Sequence, residues 1–258
     1  MPNKFVVVLM ALMTLTGLGC KPGAGGGDDD DNDEFAPNYE KLYKEMGYPA
    51  PTKYIAISFD DGPSGAKTLE LLEILKEQKV KASFFLIGQN IRNNKASAQA
   101  IFNDGHELCN HSDGYDGLGG ATAADTIRTS LLAASAAIKG ITGKDPVYFR
   151  APNVAYGTNL TTVCTELGLA IIGVNVWSND YQSSLTAEQV KNNVLGAAKD
   201  GGIINFHDPN TSGTRTLEAL PDIIDGLRKA GYWIMPVGQL AKKKGKTLEA
   251  GKQYDGIN

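Results

Sequence analysis

Short β-rich runs alternate with longer helical patterns from residue 53 onward, and few architectures accommodate such an alternation. The pattern predicts seven strands, at 53–59, 81–87, 106–110, 146–150, 169–176, 202–206 and 232–236. It predicts helices over 68–78, 91–103, 122–139, 159–167, 186–199 and 216–230, where apolar residues recur at helical spacing. Parallel strands joined by right-handed crossovers are typical of such a sequence. The sequence therefore predicts an α/β fold, either a seven-stranded (β/α) barrel or an open doubly wound sheet.

Polar residues recur where the predicted strands end. They are Asp60 and Asp61 after the first strand, His111 after the third, Arg150 at the end of the fourth, Asp180 after the fifth and His207 after the sixth. In a β/α barrel the carboxyl ends of the strands meet at one face, where active sites are assembled. This placement favours the barrel and predicts a site at its mouth.

Two adjacent acids and two histidines are the residues best suited to chemistry. Of Asp60 and Asp61, one carboxylate can bind a cation while its neighbour remains free as a base, although adjacent acids after a strand can also cap a helix. The chain contains three histidines. A single histidine at a strand end is often structural, but His111 and His207 facing an aspartate pair indicate a functional site.

The N-terminal segment predicts export. In residues 1–19, a lysine and an apolar run are typical of a signal peptide. The small residue before Cys20 resembles a bacterial lipoprotein cleavage box, with Cys20 as the lipidation site. Residues 20–35 are predicted to form a disordered Gly/Asp-rich tether, followed by one catalytic domain over 36–258. We expect a cell-envelope lipoprotein, or otherwise a secreted protein, that contacts a membrane only through Cys20.

Charge and cysteine content limit the partners. The formal net charge is −4, and most of the acidic excess lies in the predicted tether, so nucleic acid is not an expected partner. We expect a monomer, because the sequence has no heptad seam. An exported protein could oxidise Cys109 and Cys164 to a disulfide, and the sequence leaves this open.

Four motifs carry a family resemblance. They are SFDDGP at 58–63, His111-Ser112, Arg150-Ala151-Pro152 and IINFHD at 203–208. In this order they resemble the polysaccharide deacetylases, the NodB-homology family or carbohydrate esterase family four, over about residues 50–245. The resemblance implies a distorted β/α barrel, an acetylated polysaccharide as substrate, and a divalent metal ion, usually zinc or cobalt.

The resemblance also implies a role for each matching residue. Asp60 looks like the general base, Asp61 and His111 like metal ligands, and His207 like the general acid. Arg150 would orient Asp60, and Asp180 would pair with His207. The backbone N–H of Asn153, after the turn residue Pro152, would donate to the oxyanion.

One departure from the family pattern narrows the expected substrate. Tyr115 replaces the second histidine ligand, and a neutral phenol is a poor ligand, so water, Asp113 or Asp116 would complete the metal site. The segments His111–Tyr115, Arg150–Asn153 and Asn179–Tyr181 resemble an acetylxylan-esterase branch, which favours O-acetyl esters on xylan.

Two aromatic residues are candidates for sugar binding, and two other functions remain compatible with the sequence. Trp177 and Tyr181 would offer an aromatic face to a sugar ring, although Trp177 is equally compatible with a core position. The alternatives are N-deacetylation of chitin oligomers or peptidoglycan, and a catalytically silent carbohydrate-binding protein.

Overall fold

The computed structural model describes residues 39–258 except 116, 117, 119 and 121. The predicted signal peptide, the tether with Cys20, and Asp116 lie outside the described residues. Within the described part, no helix is both long and apolar enough to cross a membrane.

Strands and helices alternate along most of the chain. The strands are β1 Lys53–Asp60, β2 Ser83–Leu86, β3 Glu107–Asn110, β4 Tyr148–Phe149, β5 Ala170–Ile172, β6 Val176–Trp177, β7 Gly202–His207, β8 Tyr232–Met235 and β9 Gln253–Tyr254. The helices are α1 Tyr39–Glu45, α2 Ala66–Glu77, α3 Gly88–Asn93, α4 Lys95–Asn103, α5 Ala124–Thr142, α6 Thr158–Glu166, α7 Ala187–Ala197, α8 Pro209–Ser212, α9 Arg215–Lys229 and α10 Val237–Lys243.

The strands form one curled parallel sheet. Their order is β6-β7-β1-β2-β3-β4-β5-β9, and β8 pairs with the first half of β1. β1 is the central strand, because it pairs with β7 from Ile55 to Asp60 and with β2 from Ser58 to Asp60. The sheet remains open between β9 and β6 among the described strands. The predicted distorted (β/α) barrel is confirmed as the fold class.

Two predicted elements are divided in the structure. The single strand predicted at 169–176 forms β5 and β6, which are separated by the segment around Gly173. The helix predicted at 91–103 forms α3 and α4, because the backbone at Asn94 leaves the helical region with φ −128° and ψ 47°. The strand β9 was not predicted.

The alternation of side chains along each strand separates the core from the site. Ile55, Ile57 and Phe59 of β1 pack outward in a large apolar cluster beneath the helices, whereas Ala56 belongs to an inner cluster with Ile203 of β7. Residues two apart on a strand share a face. The inner positions are therefore apolar near the start of β1 and β7 and become polar toward their carboxyl ends.

The two described cysteines are free, which answers the open question about a disulfide. Cys109 lies in the inner cluster, and Cys164, on the buried face of α6, lies in a third apolar cluster. Burial raises the pKa of both thiols, Cys164 to about 12, so neither is a reactive thiolate near neutral pH.

Candidate active site

A cavity of about 480 Å³ opens at the carboxyl ends of the strands. All of the predicted site residues line it except Arg150 and Asp180, which lie directly behind Asp60 and His207. Val154 and Asn205, which were not predicted, line it as well. The strand ends therefore bring the predicted residues into one site.

Asp60 ends β1 and is held at both carboxylate oxygens. The Arg150 Nη1 atom donates to Oδ1 at 2.6 Å, and the Asn205 Nδ2 atom donates to Oδ2 at 2.8 Å. Arg150 is fully buried, so it is not the surface charge that its strand-end position also allowed. Its guanidinium also donates to Ser58 Oγ at 2.8 Å and lies 3.9 Å from the Phe85 ring centre. These contacts fix the orientation of the Asp60 carboxylate.

His111 has a defined tautomer. Its Nδ1 atom lies 2.8 Å from the Arg150 carbonyl oxygen, which accepts hydrogen bonds only, so Nδ1 carries a proton. The Nε2 atom points to the two acids, at 3.5 Å from Asp61 Oδ1 and 4.0 Å from Asp60 Oδ2. In the neutral imidazole this nitrogen is an unprotonated lone-pair donor aimed into the cavity.

Asp61 lies directly after β1 in a left-handed backbone conformation, with φ 74°. The Thr211 hydroxyl donates to its Oδ2 at 2.9 Å, which leaves Oδ1 facing His111. Burial raises the pKa of the Asp61 carboxyl, but the contact with His111 and the charges of His111 and His207 outweigh it and lower that pKa. Asp61 is therefore an anionic carboxylate with one oxygen directed at the cavity.

His207 ends β7 and forms a tight pair with Asp180. The ring Nδ1 lies 2.7 Å from Asp180 Oδ1, and the His207 backbone N–H donates to Oδ2 at 2.8 Å. Burial lowers the pKa of His207, but the hydrogen bond and charge of Asp180, with Asp60 and Asp61 beyond, raise it to about 9. The imidazole is therefore protonated at neutral pH in the metal-free protein.

Asp180 is fully buried and belongs to a network at the start of α9. The Thr216 hydroxyl donates to its Oδ2, and Arg215 Nε donates to its carbonyl oxygen at 3.0 Å. Asp180 is thus more than a loop cap, because its side chain joins β7 and α9 and orients His207.

Tyr115 lies at the cavity edge and is about half exposed. Its hydroxyl is 3.1 Å from Asn90 Nδ2 and 3.4 Å from the Asp61 carbonyl oxygen. Burial raises the pKa of its phenol, although the Asn90 contact opposes this, so the group is neutral at physiological pH. Asp113 is engaged in a two-pronged contact with Arg92, at 2.8 and 2.9 Å. Neither side chain directs a free anion at Asp61.

Pro152 and Asn153 form a short 3-10 turn after β4. Asn153 has φ 57° and ψ 17°, a left-handed conformation that asparagine tolerates better than most residues. Among the described residues, no hydrogen-bond acceptor pairs with the Asn153 backbone N–H. This N–H is available to a ligand in the cavity.

Two aromatic side chains border the cavity on the His207 side. Trp177 is 40% exposed and Tyr181 is 48% exposed, so Trp177 is not a core residue. The Tyr181 ring packs edge-on against His207, with ring centres 5.5 Å apart. Both rings offer an apolar face beside the acid group of the site.

Three residues that form hydrogen bonds within the site were not predicted from the sequence: Asn205, Thr211 and Thr216. Asn205 alone had a local signal, because an amide interrupts the apolar run Ile203–Phe206 two residues before His207. The hydroxyls of Thr211 and Thr216 lie in a polar segment, where threonine is unremarkable.

The described residues contain no cluster of three or more histidine, cysteine, aspartate or glutamate side chains arranged to hold a metal ion. Asp61 and His111 form a pair of candidate ligands, a carboxylate oxygen and an imidazole nitrogen facing each other at 3.5 Å. Two acceptors at this separation require a proton or a cation between them, so this pair fits a divalent cation that also keeps water ligands.

Comparisons with known proteins agree with this geometry. The family model described as polysaccharide deacetylase matches residues 47–172. A bifunctional xylanase/deacetylase of Pseudobutyrivibrio xylanivorans is 39% identical over 194 residues, which are 75% of this chain and 31% of that protein. A peptidoglycan-N-acetylglucosamine deacetylase of Listeria monocytogenes is 30% identical over 223 residues, which are 86% of this chain and 45% of that protein.

A solved structure is similar over nearly its whole length. It is a family 4 acetyl xylan esterase from Clostridium thermocellum in complex with a cobalt ion, with a TM-score of 0.74 and 33% identity. The match covers 80% of this chain and 99% of that one. In contrast, the chain spans 31% and 45% of the two curated relatives, so it corresponds to only a part of each.

Proposed function

The chain belongs to the polysaccharide deacetylase family and is a hydrolase of ester or non-peptide C–N bonds, and we propose that it removes O-acetyl groups from xylan. One observation carries the proposal. A doubly held carboxylate, Asp60, and a protonated histidine, His207, line the same cavity. A base and an acid on one substrate are what acyl transfer to water requires.

Asp60 and His207 would divide the proton transfers. Asp60 accepts a proton from water as the water oxygen bonds to the acetyl carbon. His207 then donates its Nε2 proton to the sugar oxygen as the carbon–oxygen bond breaks, which gives acetate and a free hydroxyl group. The raised pKa of His207 ensures that this proton is present at neutral pH.

The oxyanion would be stabilised by the loop after β4. Asn153 lines the cavity, and its N–H has no acceptor of its own in the described chain. A fixed donor whose hydrogen bond strengthens as the carbonyl oxygen becomes negative lowers the barrier. The left-handed backbone at Asn153 supports this role, because it takes the N–H out of the regular hydrogen-bond pattern of a helix or strand.

Asp61 and His111 would hold the divalent cation, zinc or cobalt. The Arg150 carbonyl fixes the His111 tautomer with Nε2 free, and the Thr211 hydroxyl holds Oδ2 of Asp61 so that Oδ1 faces His111. When bound, the cation would polarise the acetyl carbonyl and acidify water. With Tyr115 neutral, the described residues supply two ligands, so we expect weaker binding than at a site with three.

The relatives and the chemistry of the leaving group both favour ester substrates over amides. Relatives described as a xylanase/deacetylase and as an acetyl xylan esterase are 39% and 33% identical to this chain. An alkoxide departs from an ester more readily than an amine departs from an amide, so an ester tolerates a cation with fewer protein ligands. Trp177 and Tyr181 would stack on the sugar ring next to the acetylated position.

N-deacetylation is the second candidate. The peptidoglycan deacetylase relative is 30% identical over 86% of this chain, and the same base and acid serve an amide. A silent carbohydrate-binding protein is less favoured, since sugar binding alone would not require a raised pKa at His207 or a carboxylate held by Arg150.

The test is acetate release from three substrates: acetylated xylan, N-acetylated chitin oligomers and peptidoglycan. Each is measured after chelation and again with cobalt or zinc added back. His207→Ala removes the acid, and His106→Gln is a matched control because His106 lies outside the cavity. We expect acetylated xylan to be the preferred substrate and acetate release to require both the cation and His207.

The other outcomes separate the alternatives. Release mainly from chitin oligomers or peptidoglycan would replace the esterase with an N-deacetylase. Release without any cation would remove the metal from the proposal. No release from any substrate, with sugar binding still measurable, would favour the silent carbohydrate-binding protein.

A further inference from the structure

We propose that Asn205 is a positioning residue that fixes the second carboxylate oxygen of Asp60 for proton abstraction. The inference rests on the proposed function, in which Asp60 is the base. Asn205 lies in the middle of β7 and is 3% exposed, and its Nδ2 atom donates to Asp60 Oδ2 at 2.8 Å.

The position of Asn205 argues against a purely structural role. Its neighbours in β7 are Ile203, Ile204 and Phe206, all fully buried, and asparagine is unfavourable in a central strand. Burying an amide without a partner is unfavourable, so a polar residue persists here only with a specific partner. Such violations of local preference are concentrated at functional sites.

The hydrogen bonds of Asn205 point to Asp60 rather than to the sheet. β7 pairs with β1 on one side and β6 on the other, so the backbone ladder does not need this side chain. Within its own strand the amide has only a longer contact, 3.3 Å to the Phe206 carbonyl oxygen. Among the described residues, the one short hydrogen bond of the amide joins it to the Asp60 carboxylate.

The Asn205 amide is also not needed to balance the charge of the Asp60 carboxylate. Arg150 already neutralises Asp60 through the 2.6 Å contact at Oδ1. A carboxylate held at one oxygen still rotates about its Cβ–Cγ bond, whereas donors on both oxygens fix its plane. The amide occupies one lone pair of Oδ2, and a second lone pair remains available for a proton. Asn205 thus determines where the basic lone pair points.

The experiment is a double-mutant cycle on the cation-loaded full-length protein. Asn205→Leu keeps the approximate volume and removes the donor, and Asp60→Asn removes the base. Both are measured singly and together with acetylated xylan and with an activated aryl acetate that reveals residual activity. Asn193→Ala is the matched control, since Asn193 donates to the nearby Ser178 carbonyl at 3.0 Å without touching Asp60.

The expected result is a loss in kcat that depends on Asp60. A hydrogen bond to a charged group corresponds to a roughly 10- to 100-fold decrease in kcat for Asn205→Leu, with KM within about threefold. In the Asp60→Asn background the same change should cost no more than about twofold, because residues that act together are not additive. Asn193→Ala should stay within about twofold of wild type.

A second measurement distinguishes positioning from collapse of the site. The cobalt dissociation constant of Asn205→Leu, measured by calorimetry, should stay within about threefold of wild type, because Asn205 touches neither Asp61 nor His111. If Asn205→Leu does not fold, the isosteric Asn205→Asp replaces it and should lower kcat at least tenfold.

Three outcomes overturn the inference: kcat unchanged in a folded Asn205 variant, an equal loss with and without Asp60, or cobalt affinity lost together with kcat. If wild type hydrolyses no acetyl ester or amide, the proposed function fails and this inference fails with it. If wild type is active and only the cycle is additive, the proposed function stands without Asn205.

Discussion

Replacing Asp180 by asparagine tests the electrostatic argument for His207 directly. Asparagine keeps the shape and still accepts from the His207 N–H and from Thr216, but it presents an amide donor to Nδ1. The imidazole then becomes neutral with Nδ1 unprotonated. Because the hydrogen bond and charge of Asp180 are the largest influences that raise the pKa of His207, we expect that pKa to fall from about 9 toward the ordinary 6.5.

The size of the effect follows from linkage. The folded-state pKa of His207 lies above that of the unfolded chain, so the protonated ring stabilises the fold fully below pH 6.5 and ceases to do so as pH rises through about 9. That interval corresponds to about 3.5 kcal/mol, at about 1.4 kcal/mol per pH unit. The free energy of unfolding of wild type should therefore fall by this much more than that of Asp180→Asn over the same range.

Two assays on metal-free protein measure these quantities. Proton NMR titration of the ring protons gives the pKa values, and the chain has three histidines, which single substitutions assign. Urea unfolding at several pH values gives the stability difference. In the loaded enzyme, kcat should fall by about 10²- to 10⁴-fold, the usual contribution of general acid–base catalysis. A His207 pKa that stays near 9 in Asp180→Asn would refute the assigned cause.

Other perturbations separate the remaining roles. Burial lowers the pKa of His106 to about 3, so its neutral form stabilises the fold above pH 6.5 and this contribution is lost as pH falls toward 3. His106→Gln keeps an acceptor for the Ala82 N–H but cannot be protonated. In urea unfolding, the free energy of unfolding of this variant should fall less than that of wild type between pH 6.5 and 3, by on the order of 5 kcal/mol. An equal fall in both proteins would contradict the assigned burial effect. The Thr211 hydroxyl orients Asp61, so Thr211→Val should weaken cobalt binding by about tenfold in calorimetry, whereas Thr211→Ser should keep the wild-type affinity. Equal affinities for the two variants would exclude an orienting role of the hydroxyl. Tyr115→His should tighten cobalt binding at least about tenfold and Tyr115→Phe should leave it nearly unchanged, and a loss of affinity in Tyr115→Phe would identify the phenol as a ligand.

The sequence located the residues that follow a strand, because a strand end is a local feature. Asp60, His111 and His207 each emerge from a recognisable apolar run, and parallel strands bring such ends together. Their hydrogen-bond partners were harder to find. Asn205 and Thr211 lie 145 and 150 residues from the carboxylates that they contact, so only the fold reveals these pairs.

The divided fifth strand illustrates another limit of sequence patterns. The run at 169–176 reads as one buried strand, but a Cβ atom at Gly173 would lie only 1.9 Å from Asp255 Oδ1. The segment near the C-terminus, including β9, therefore approaches the backbone at a position where only glycine fits. The Gly173 carbonyl in turn accepts from Arg150 Nη2 at 3.2 Å. The interruption supports the site residue Arg150. Its local signal is Gly173, because an isolated glycine inside a strand pattern can mark a close backbone approach, but the approaching residue Asp255 is distant in sequence.

The backbone itself distinguishes the site from the rest of the barrel. Among the described non-glycine residues, six have positive φ, and all but Lys79 lie in the loops that build the site: Asp61, Ser112, Asn153, Val154 and Asn179. Such conformations cost roughly 1 kcal/mol or more each and persist where surrounding contacts impose them. Val154 is the least tolerant of them, being β-branched, and it borders the cavity beside Asn153. The strands supply rigid positions, and the strained turns that follow them bring the carboxylates and imidazoles of the site to one cavity.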